Sequence, residues 1–306
     1  GNYYAVWKDY RNNSHPFGPD IYFQRLNGTG FIGNNINLTV EFPDSSHQSP
    51  AVGATGWGKV VTAWADLRNR NWDIFAQSLD SGGVFVGDNF MVNDDNSATT
   101  QHEPDISLSS AGWFVVAWYD NRSGNDDIFI QKYDSSGVAV GSNIRINDDG
   151  TVSKQKFPSV AIGGNGVIYI VWQDWRNGSY PENPDIYGQR LDSNLTRLGG
   201  NFMVSIGNGS AAQRDPRVSA DRMGNACIVW ADSLGYDWEI KGQLIDYGGS
   251  FSGDNFSVNL DSEGRQLHPD VVLDGYFAYF VWVDNRQGDY DIYGRTWQYN
   301  DPMLMP

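Results

Sequence analysis

The chain of 306 residues has few cysteines, no long apolar runs and little positive charge. Its single cysteine, Cys227, excludes an internal disulfide. No apolar run approaches the length of a membrane span and no signal peptide is recognisable, so we expect no membrane insertion. The formal net charge of −16 disfavours nucleic acid as a partner, because nucleic acid requires a basic surface.

Familiar catalytic signatures are absent as well. The chain contains neither the Gly-x-Ser-x-Gly motif of serine hydrolases nor the Ser-x-Asp-x-Gly-x-Thr-Trp box of sialidases. Its four histidines are dispersed without paired spacing, which disfavours zinc. A carboxylate pair for glycoside cleavage stays open, because only geometry would select it among many acidic residues. The sequence therefore favours a protein that is not an enzyme and leaves an enzyme open as the alternative.

What the chain does contain is one motif written six times. Each copy has Trp-x-Asp, a polar turn, an acidic residue, Ile and usually an aromatic residue, as in Trp7-Lys8-Asp9 followed by Asp20-Ile21-Tyr22. The fifth copy departs, with Glu239-Ile240-Lys241 and no arginine in its turn. Between 52 and 58 residues separate successive tryptophans, which are Trp7, Trp64, Trp118, Trp172, Trp230 and Trp282. A regular period of this length is typical of a repeat architecture.

Each repeat predicts four short antiparallel strands. In residues 104–147, strand-forming segments rich in β-branched and aromatic residues alternate with Gly-, Asn- and Ser-rich turns. No segment has a convincing helical period. We therefore predict an all-β fold, a six-bladed β-propeller of four-stranded antiparallel blades.

The blades are predicted within a single domain over residues 1–306. Their approximate ranges are 1–40, 48–93, 102–147, 156–205, 214–259 and 267–300. The proline-led first strand and the outer strand each occur only five times, so the first and last blades are expected to be incomplete. Two prolines make the tail Asp301–Pro306 a poor outer strand. We expect the open edges to be completed by a segment upstream of Gly1 in the natural protein or by self-assembly with a neighbouring subunit.

The motif resembles a known class of propeller. The order Trp-x-Asp-x-Arg, Asp-Ile-Tyr-x-Gln and Asp-x-x-Gly is similar to the repeats of TolB-like six-bladed β-propellers, and the resemblance covers essentially the whole chain. It implies an extracellular, cell-surface or periplasmic protein. It is weak for function, because propellers of this class serve as scaffolds, binding modules and accessory domains.

Residues repeated in every blade are predicted to be structural. The motif tryptophans should pack between neighbouring sheets. The pairs Asp66 with Arg68 and Asp120 with Arg122 should satisfy the turn backbone and pair across the hairpin to the Asp of Asp-Ile-Phe. Cys227 occupies a strand position filled elsewhere by small apolar residues, so we expect a buried hydrophobe.

Residues that differ between blades are the candidates for ligand binding. Longer loops at Asn12–Pro19 and Asn177–Pro184 suit recognition. Aromatic rings at hairpin tips either stack on sugars or lie flat on the blade edge; they are Trp72, Trp238 and Tyr290. Loops entering the first strands carry polar and cationic side chains that have two possible interpretations. They either line the mouth of a central channel, where the cations would bind a carboxylate such as that of a uronic acid, or they are simply solvated. They are His47, Gln101, His102, Gln155, Lys156, Gln213, Arg214, Gln266 and His268.

Two Asn-Asp-Asp triplets are candidates for calcium. Asp94, Asp95, Asp148 and Asp149 offer hard oxygen ligands, but the same triplet is ordinary turn chemistry. No other cofactor is expected. The sequence predicts an extracellular or cell-surface interaction module that binds a glycan or a protein. The alternative is a polysaccharide-active enzyme, a lyase or glycoside hydrolase, with its site at the central channel.

Overall fold

The computed structural model describes residues 2–12, 18–42, 44–95, 97–206, 211–234, 237–261 and 263–299. They form an all-β, six-bladed propeller of antiparallel sheets, as predicted. None of these described residues forms a helix long and apolar enough to cross a bilayer. The chain divides into two compact units, Gly1–Ile146 and Asn147–Pro306. The predicted blade-one loop falls mostly on residues 13–17, and the tail on residues 301–306, both outside the described residues.

The first unit contains blades one to three. Blade one is formed by β1 (Tyr3–Asp9), β2 (Asp20–Asn27) and β3 (Gly30–Asn37). Blade two is formed by β4 (His47–Ala54), β5 (Val60–Asp66), β6 (Asp73–Leu79) and β7 (Phe85–Met91). Blade three is formed by β8 (Gln101–Leu108), β9 (Phe114–Asp120), β10 (Asp127–Tyr133) and β11 (Ala139–Arg145).

The second unit contains blades four to six. Blade four is formed by β12 (Gln155–Ile162), β13 (Ile168–Asp174), β14 (Asp185–Leu191) and β15 (Phe202–Met203). Blade five is formed by β16 (Gln213–Ala220), β17 (Ala226–Leu234), β18 (Asp237–Ile245) and β19 (Phe251–Ser257). Blade six is formed by β20 (Gln266–Leu273), β21 (Phe277–Asp284) and β22 (Asp291–Gln298).

The incomplete blades are the first and the last, as predicted. Among the described residues, blade one has the order β1-β2-β3 without the proline-led first strand, and blade six has the order β20-β21-β22 without an outer strand. Within the described residues, β1 and β22 therefore each pair along one side only. The predicted outer strand of blade four is reduced to the two residues of β15.

The core lies between neighbouring sheets within each unit. Strands β5, β6 and β13 are buried along their whole length, and the sequences of β5 and β13 are accordingly mostly apolar rather than alternating. Trp118 of blade three packs with Val61 and Ala65 of blade two. Trp230 of blade five packs with Tyr169 of blade four. The predicted packing between neighbouring sheets is thus confirmed for Trp118 and Trp230, and burial of such a side chain contributes about 2–3 kcal/mol.

Every first strand contains a bulge immediately before its proline. The residue preceding the proline has a positive φ of 50° to 53°, and the register with the second strand shifts there. These residues are Ser49, Glu103, Phe157, Asp215 and His268. A bulge re-aims a side chain, and a non-glycine residue in this region is uncommon. The first strands of the second unit, β12, β16 and β20, lie next to one another.

The strand register brings the candidate loops to one edge of each blade. In blade five, Gln213 at the start of the first strand pairs with Asp232 at the end of the second. Asp232 in turn pairs with Glu239 near the start of the third strand. The loop entering the first strand and the hairpin between the second and third strands therefore share an edge.

Candidate functional site

The repeated Trp-x-Asp motif is a buried hydrogen-bonding unit. In blade four, Trp172 Nε1 donates to Asp174 Oδ2 at 2.8 Å, and the backbone N–H of Arg176 donates to Asp174 Oδ1 at 2.8 Å. The Arg176 guanidinium returns to the same carboxylate, with Nη2 to Oδ2 at 2.7 Å. Asp174 is fully buried, so each donor matters for offsetting the cost of burying its charge.

The predicted pairing of the arginine across the hairpin is wrong. Arg68 and Arg122 bind Asp66 and Asp120, which lie two residues earlier in the same turn. The carboxylate across the hairpin in blade two, Asp73, instead accepts hydrogen bonds from three asparagine side chains, Asn69, Asn71 and Asn93. In blade two, asparagine side chains therefore donate hydrogen bonds to the third-strand carboxylate, and the arginine donates to the second-strand carboxylate.

Five of the predicted ligand residues are buried in this scaffold. Each lies opposite the motif aspartate and is at most 1% exposed; they are His47, Gln101, Gln155, Gln213 and Gln266. Gln101 Nε2 donates to Thr99 Oγ1 at 2.9 Å and to Asp120 Oδ1 at 3.2 Å. His47 Nε2 lies 3.3 Å from Asp66 Oδ2. These partners assign the five side chains to the scaffold rather than to a ligand surface.

The pKa of Asp66 reflects these contacts. Burial raises the pKa, but the contacts from His47 and Arg68 outweigh burial, so the pKa of Asp66 lies well below its ordinary value. The carboxylate is therefore ionised at neutral pH and acts as a fixed acceptor rather than as a proton carrier.

The calcium candidates are engaged in turns and ion pairs. Asp94 accepts from Arg122 Nη1 at 2.6 Å and from the Asn143 backbone N–H at 2.9 Å. Asp148 likewise accepts from Arg176 Nη1 at 3.5 Å and from the Asn201 backbone N–H at 2.9 Å. Asp95 and Asp149 accept from neighbouring Ser, Thr and Gln side chains. Within the described part of the chain, no three or more His, Cys, Asp or Glu side chains are grouped to hold a metal ion.

In the first unit, His102 and Trp72 come together. The His102 ring meets the Trp72 ring edgewise at 5.0 Å and lies over Tyr119 at 6.0 Å. Both candidates are half-buried, and Trp72 also packs against the core of blades two and three. The His102 ring also lies 3.3 Å from Glu103 Oε1 through its Nδ1, so this group combines aromatic rings with an acidic neighbour.

In the second unit, the long hairpin of blade four presents a tyrosine to two lysines. Tyr180 is 50% exposed, and the Trp175 ring supports it edgewise at 5.1 Å. Lys154 Nζ and Lys156 Nζ lie 4.9 Å and 5.8 Å from the centre of the Tyr180 ring. Cation–π contact thus holds two positive charges beside an accessible aromatic ring.

Arg214 connects this hairpin with blade five. Its Nη2 donates to the carbonyl oxygen of Pro181 at 3.0 Å, and its guanidinium lies 5.4 Å from the ring centre of Trp238. Trp238 is half-buried and packs against the core of blades five and six. Two predicted residues, Arg214 and Trp238, are therefore in direct contact.

His268 continues the same group into blade six. Its Nδ1 lies 2.8 Å from Asp215 Oδ2, and its side chain is 68% exposed. The hydrogen bond to Asp215 raises the pKa of His268 above its ordinary value, although burial and Arg217 act in the opposite direction. Both residues precede prolines in the bulges described above, which explains how residues of two adjacent first strands meet.

We call these residues the basic cluster: Lys154, Lys156, Tyr180, Arg214, Trp238 and His268. Sequence analysis identified Lys156, Arg214, Trp238 and His268 but missed Lys154, Tyr180 and the partner Asp215. Tyr180 lies in the longer loop Asn177–Pro184, which the sequence analysis had named as a candidate for recognition. The contact of Tyr180 with the two lysines was not predicted. Tyr290 is 55% exposed at the blade-six hairpin.

Solved structures share this fold at low sequence identity. The chain aligns over 97% of its length with 91% of a protein of unknown function from Dyadobacter fermentans, with a TM-score of 0.67 and 9% identity. It aligns over 97% with 90% of an α-L-arabinanase from Penicillium chrysogenum complexed with arabinobiose, with a TM-score of 0.63 and 14% identity. It aligns over 100% with 80% of a PL25 ulvan lyase bound to -[GlcA(1-4)Rha3S]-, with a TM-score of 0.63 and 11% identity.

At these identities the likeness shows the fold alone. No protein-family profile matches the chain, and no curated protein matches it by sequence. The TolB-like character of the repeats therefore stays a prediction.

Proposed function

We propose that this chain is a carbohydrate-active propeller that binds an acidic polysaccharide at the basic cluster. The observation that carries the proposal is that Lys154, Lys156 and Arg214 lie beside aromatic rings in a protein of net charge −16, while His268 contacts Asp215, the residue that follows Arg214. Cations recognise the carboxylate of a uronic acid, and an exposed ring stacks on the apolar face of a sugar. Because such polymers lie outside the cell, we place the site of action there.

The solved structures with this fold support a carbohydrate ligand. They include an arabinanase with arabinobiose and a lyase with a glucuronic-acid-containing oligosaccharide. The second of these ligands carries the negative charge that the basic cluster is suited to bind. This support makes the enzymatic alternative stronger than it was on sequence alone.

Among enzymatic reactions, the side chains of the cluster favour β-elimination over hydrolysis. Hydrolysis needs two carboxyl groups facing the glycosidic bond, whereas Asp215 is committed to His268. In elimination, a water molecule acting as the base accepts the proton at C5 of the uronate, the C5–H electron pair forms the C4=C5 double bond, and the C4–O bond breaks with its electron pair on the departing oxygen. Arg214 and Lys156 would neutralise the uronate carboxylate, and the His268 imidazolium would donate a proton to the departing oxygen.

Two measurements test this proposal. Titration calorimetry with oligogalacturonate and with neutral arabino-oligosaccharide should give binding to the acidic ligand only, weakened about tenfold or more by Arg214→Gln. Absorbance near 235 nm during incubation with polygalacturonate, alginate and ulvan would report unsaturated uronate. Binding without a new absorbance leaves a glycan-binding module as the function. Equal affinity for neutral and acidic oligosaccharides would contradict the proposal.

A further inference from the structure

One tryptophan of the chain differs from the others in being exposed. Trp57 lies in the turn between β4 and β5 and is 61% exposed, whereas the other eleven of the 12 tryptophans are buried or half-buried. Its position also departs from the repeat, because seven residues before the motif tryptophan blades three, four and five have Ala111, Asn165 and Met223. Blade two therefore carries an accessible aromatic ring at a turn where those three blades have none.

The Trp57 ring is held in place although it is exposed. Its Nε1 donates to the carbonyl oxygen of Ser110 at 3.0 Å, so the side chain reaches from blade two to blade three. The ring also lies against Gly112, where an added Cβ would come within 2.9 Å of Trp57 Cζ2. A ring that is fixed before binding loses little conformational entropy when a ligand covers it. Trp57 is therefore a preorganised platform.

The strand register of blade two brings this turn beside a second one. Val60 at the start of β5 pairs with Leu79 at the end of β6, and Leu79 pairs with Phe85 at the start of β7. The turn with the exposed tryptophan and the turn between β6 and β7 therefore share one edge of the blade. His47 and Asp66 pair at the opposite edge, where the loop enters the first strand.

Trp57 lines a cavity between blades two and three. The cavity has a volume of about 520 Å³, which falls within the range of roughly 300–1,000 Å³ that is usual for small-molecule sites. Its apolar lining consists of Trp57, Leu79, Val86 and Phe90. Serine side chains add hydroxyl groups, and they are Ser78, Ser81, Ser135 and Ser136. The lining thus combines a ring face with groups that both donate and accept hydrogen bonds.

The charged side chains of the lining balance one another. Lys59 Nζ donates to the carbonyl oxygens of Gly112 and Ser135, both at 2.9 Å. Asp80 Oδ1 accepts two backbone N–H groups of its own turn, at 2.8 Å and 2.9 Å. One cation and one anion, each with partners in the protein, leave the cavity without an unmatched charge. An uncharged ligand therefore suits it better than an acidic one.

We propose that this cavity binds an uncharged pyranose ring with equatorial hydroxyl groups, such as glucose or xylose, stacked on Trp57. The axial C–H groups of such a sugar form an apolar face for the indole, and its hydroxyl groups meet the serines and Asp80. A furanose ring lacks this flat face, and a uronate adds a charge. The cavity lies in the unit Gly1–Ile146 and the basic cluster in the other unit. Because the two sites take different ligands, this one stands whether or not the acidic-polysaccharide proposal holds.

NMR titration of the full chain with saccharides of different ring type tests the site. The indole N–H signal of Trp57, identified by its loss in Trp57→Phe, should shift with xylotriose or cellotriose and give a Kd of about 10 mM or below. Arabinotriose, which consists of furanose rings, and glucuronate should not shift this signal at the same concentrations. Absence of a shift with both xylotriose and cellotriose would overturn the proposal, and so would equal affinity for arabinotriose.

Two aromatic substitutions in the same unit provide the matched control. Trp57→Ala should weaken the binding of xylotriose at least tenfold, measured on the sugar signals by saturation-transfer NMR. Phe31→Ala removes another exposed ring that lies outside the lining, and it should leave binding unchanged. Undiminished binding to Trp57→Ala would refute the site.

A third variant tests the cavity with the tryptophan in place. Ser136 lines the cavity and is exposed, so Ser136→Phe should fill the space without disturbing the core and should abolish the shift of the Trp57 signal. An unchanged shift in Ser136→Phe would also refute the site. Trp57→Ala and Ser136→Phe should both bind oligogalacturonate as the unmodified chain does, which separates a failure of this site from a failure of the basic cluster.

Discussion

The same substitution in two blades of one unit should have very different effects on stability. Asp174→Asn removes the carboxylate that binds Trp172 and Arg176 in blade four, whereas Asp232→Asn removes one that has no motif arginine in blade five. Both carboxylates are fully buried, so the comparison isolates the contribution of the arginine.

The magnitudes follow from the contacts. Asp174→Asn leaves the Arg176 guanidinium, whose side chain is 15% exposed, without its closest anion. Breaking a buried ion pair by removing one partner costs about 3–5 kcal/mol, and the partial exposure of Arg176 places the cost near the lower end, about 3 kcal/mol. Asp232→Asn leaves no motif arginine without its anion, because Leu234 stands at that position of the sequence, so we expect a smaller cost of about 1 kcal/mol.

Urea unfolding followed by tryptophan fluorescence measures both values. A third variant, Asp174→Asn with Arg176→Met, should recover part of the loss, because the orphaned guanidinium is gone. Equal losses for Asp174→Asn and Asp232→Asn would refute the reasoning, and so would a double variant less stable than Asp174→Asn alone.

Three further predictions follow from ionisation and burial. NMR titration of His268 should give a pKa above its ordinary value of 6.5, and Asp215→Asn should lower that pKa. Because the cationic form of His268 persists up to the raised pKa, polysaccharide binding should be full at low pH and should be lost as the pH rises through that pKa. Burial raises the pKa of Asp284, but hydrogen bonds from Arg286 and Trp282 outweigh burial and lower the pKa to about 2. The stability that this carboxylate contributes above about pH 4 should therefore be lost between pH 4 and pH 2 in an acid-unfolding series, and Asp284→Asn should not show this loss. Burial raises the pKa of the Cys227 thiol, so it should react with a disulfide reagent only in denaturant, and fast reaction of the native protein would contradict its burial.

The fold was predictable because its determinants repeat. Six copies of Trp-x-Asp at a nearly constant spacing specify six hairpins, and the deficit of one first strand and one outer strand predicted which blades are three-stranded. Cys227 was predicted as a buried hydrophobe from its strand neighbours, and it is fully buried. Periodicity and local composition were sufficient for these features because they depend on short-range pattern.

The polar contacts were less predictable, because sequence spacing does not choose between nearby acceptors. Arg68 is able to reach Asp66 in its own turn or Asp73 across the hairpin, and the sequence does not decide between them. Gln101 was expected either at a channel mouth or as a solvated loop residue, yet the structure buries it against Asp120. The meeting of Asp215 with His268 depends on bulges in two adjacent strands, which the prolines mark without fixing the direction of either side chain.

The departures from the repeat are what indicate function. The tryptophan and aspartate repeated in the motif satisfy their neighbours and leave little capacity for a ligand. The extended hairpin with Tyr180 in blade four and the loss of the motif arginine at Leu234 in blade five occur in adjacent blades of one unit. By the comparison of Asp174 with Asp232, the loss of the motif arginine removes an interaction worth about 2 kcal/mol, a sizeable fraction of the stability of an ordinary domain. A departure with this cost is a better guide to function than the residues that every blade repeats.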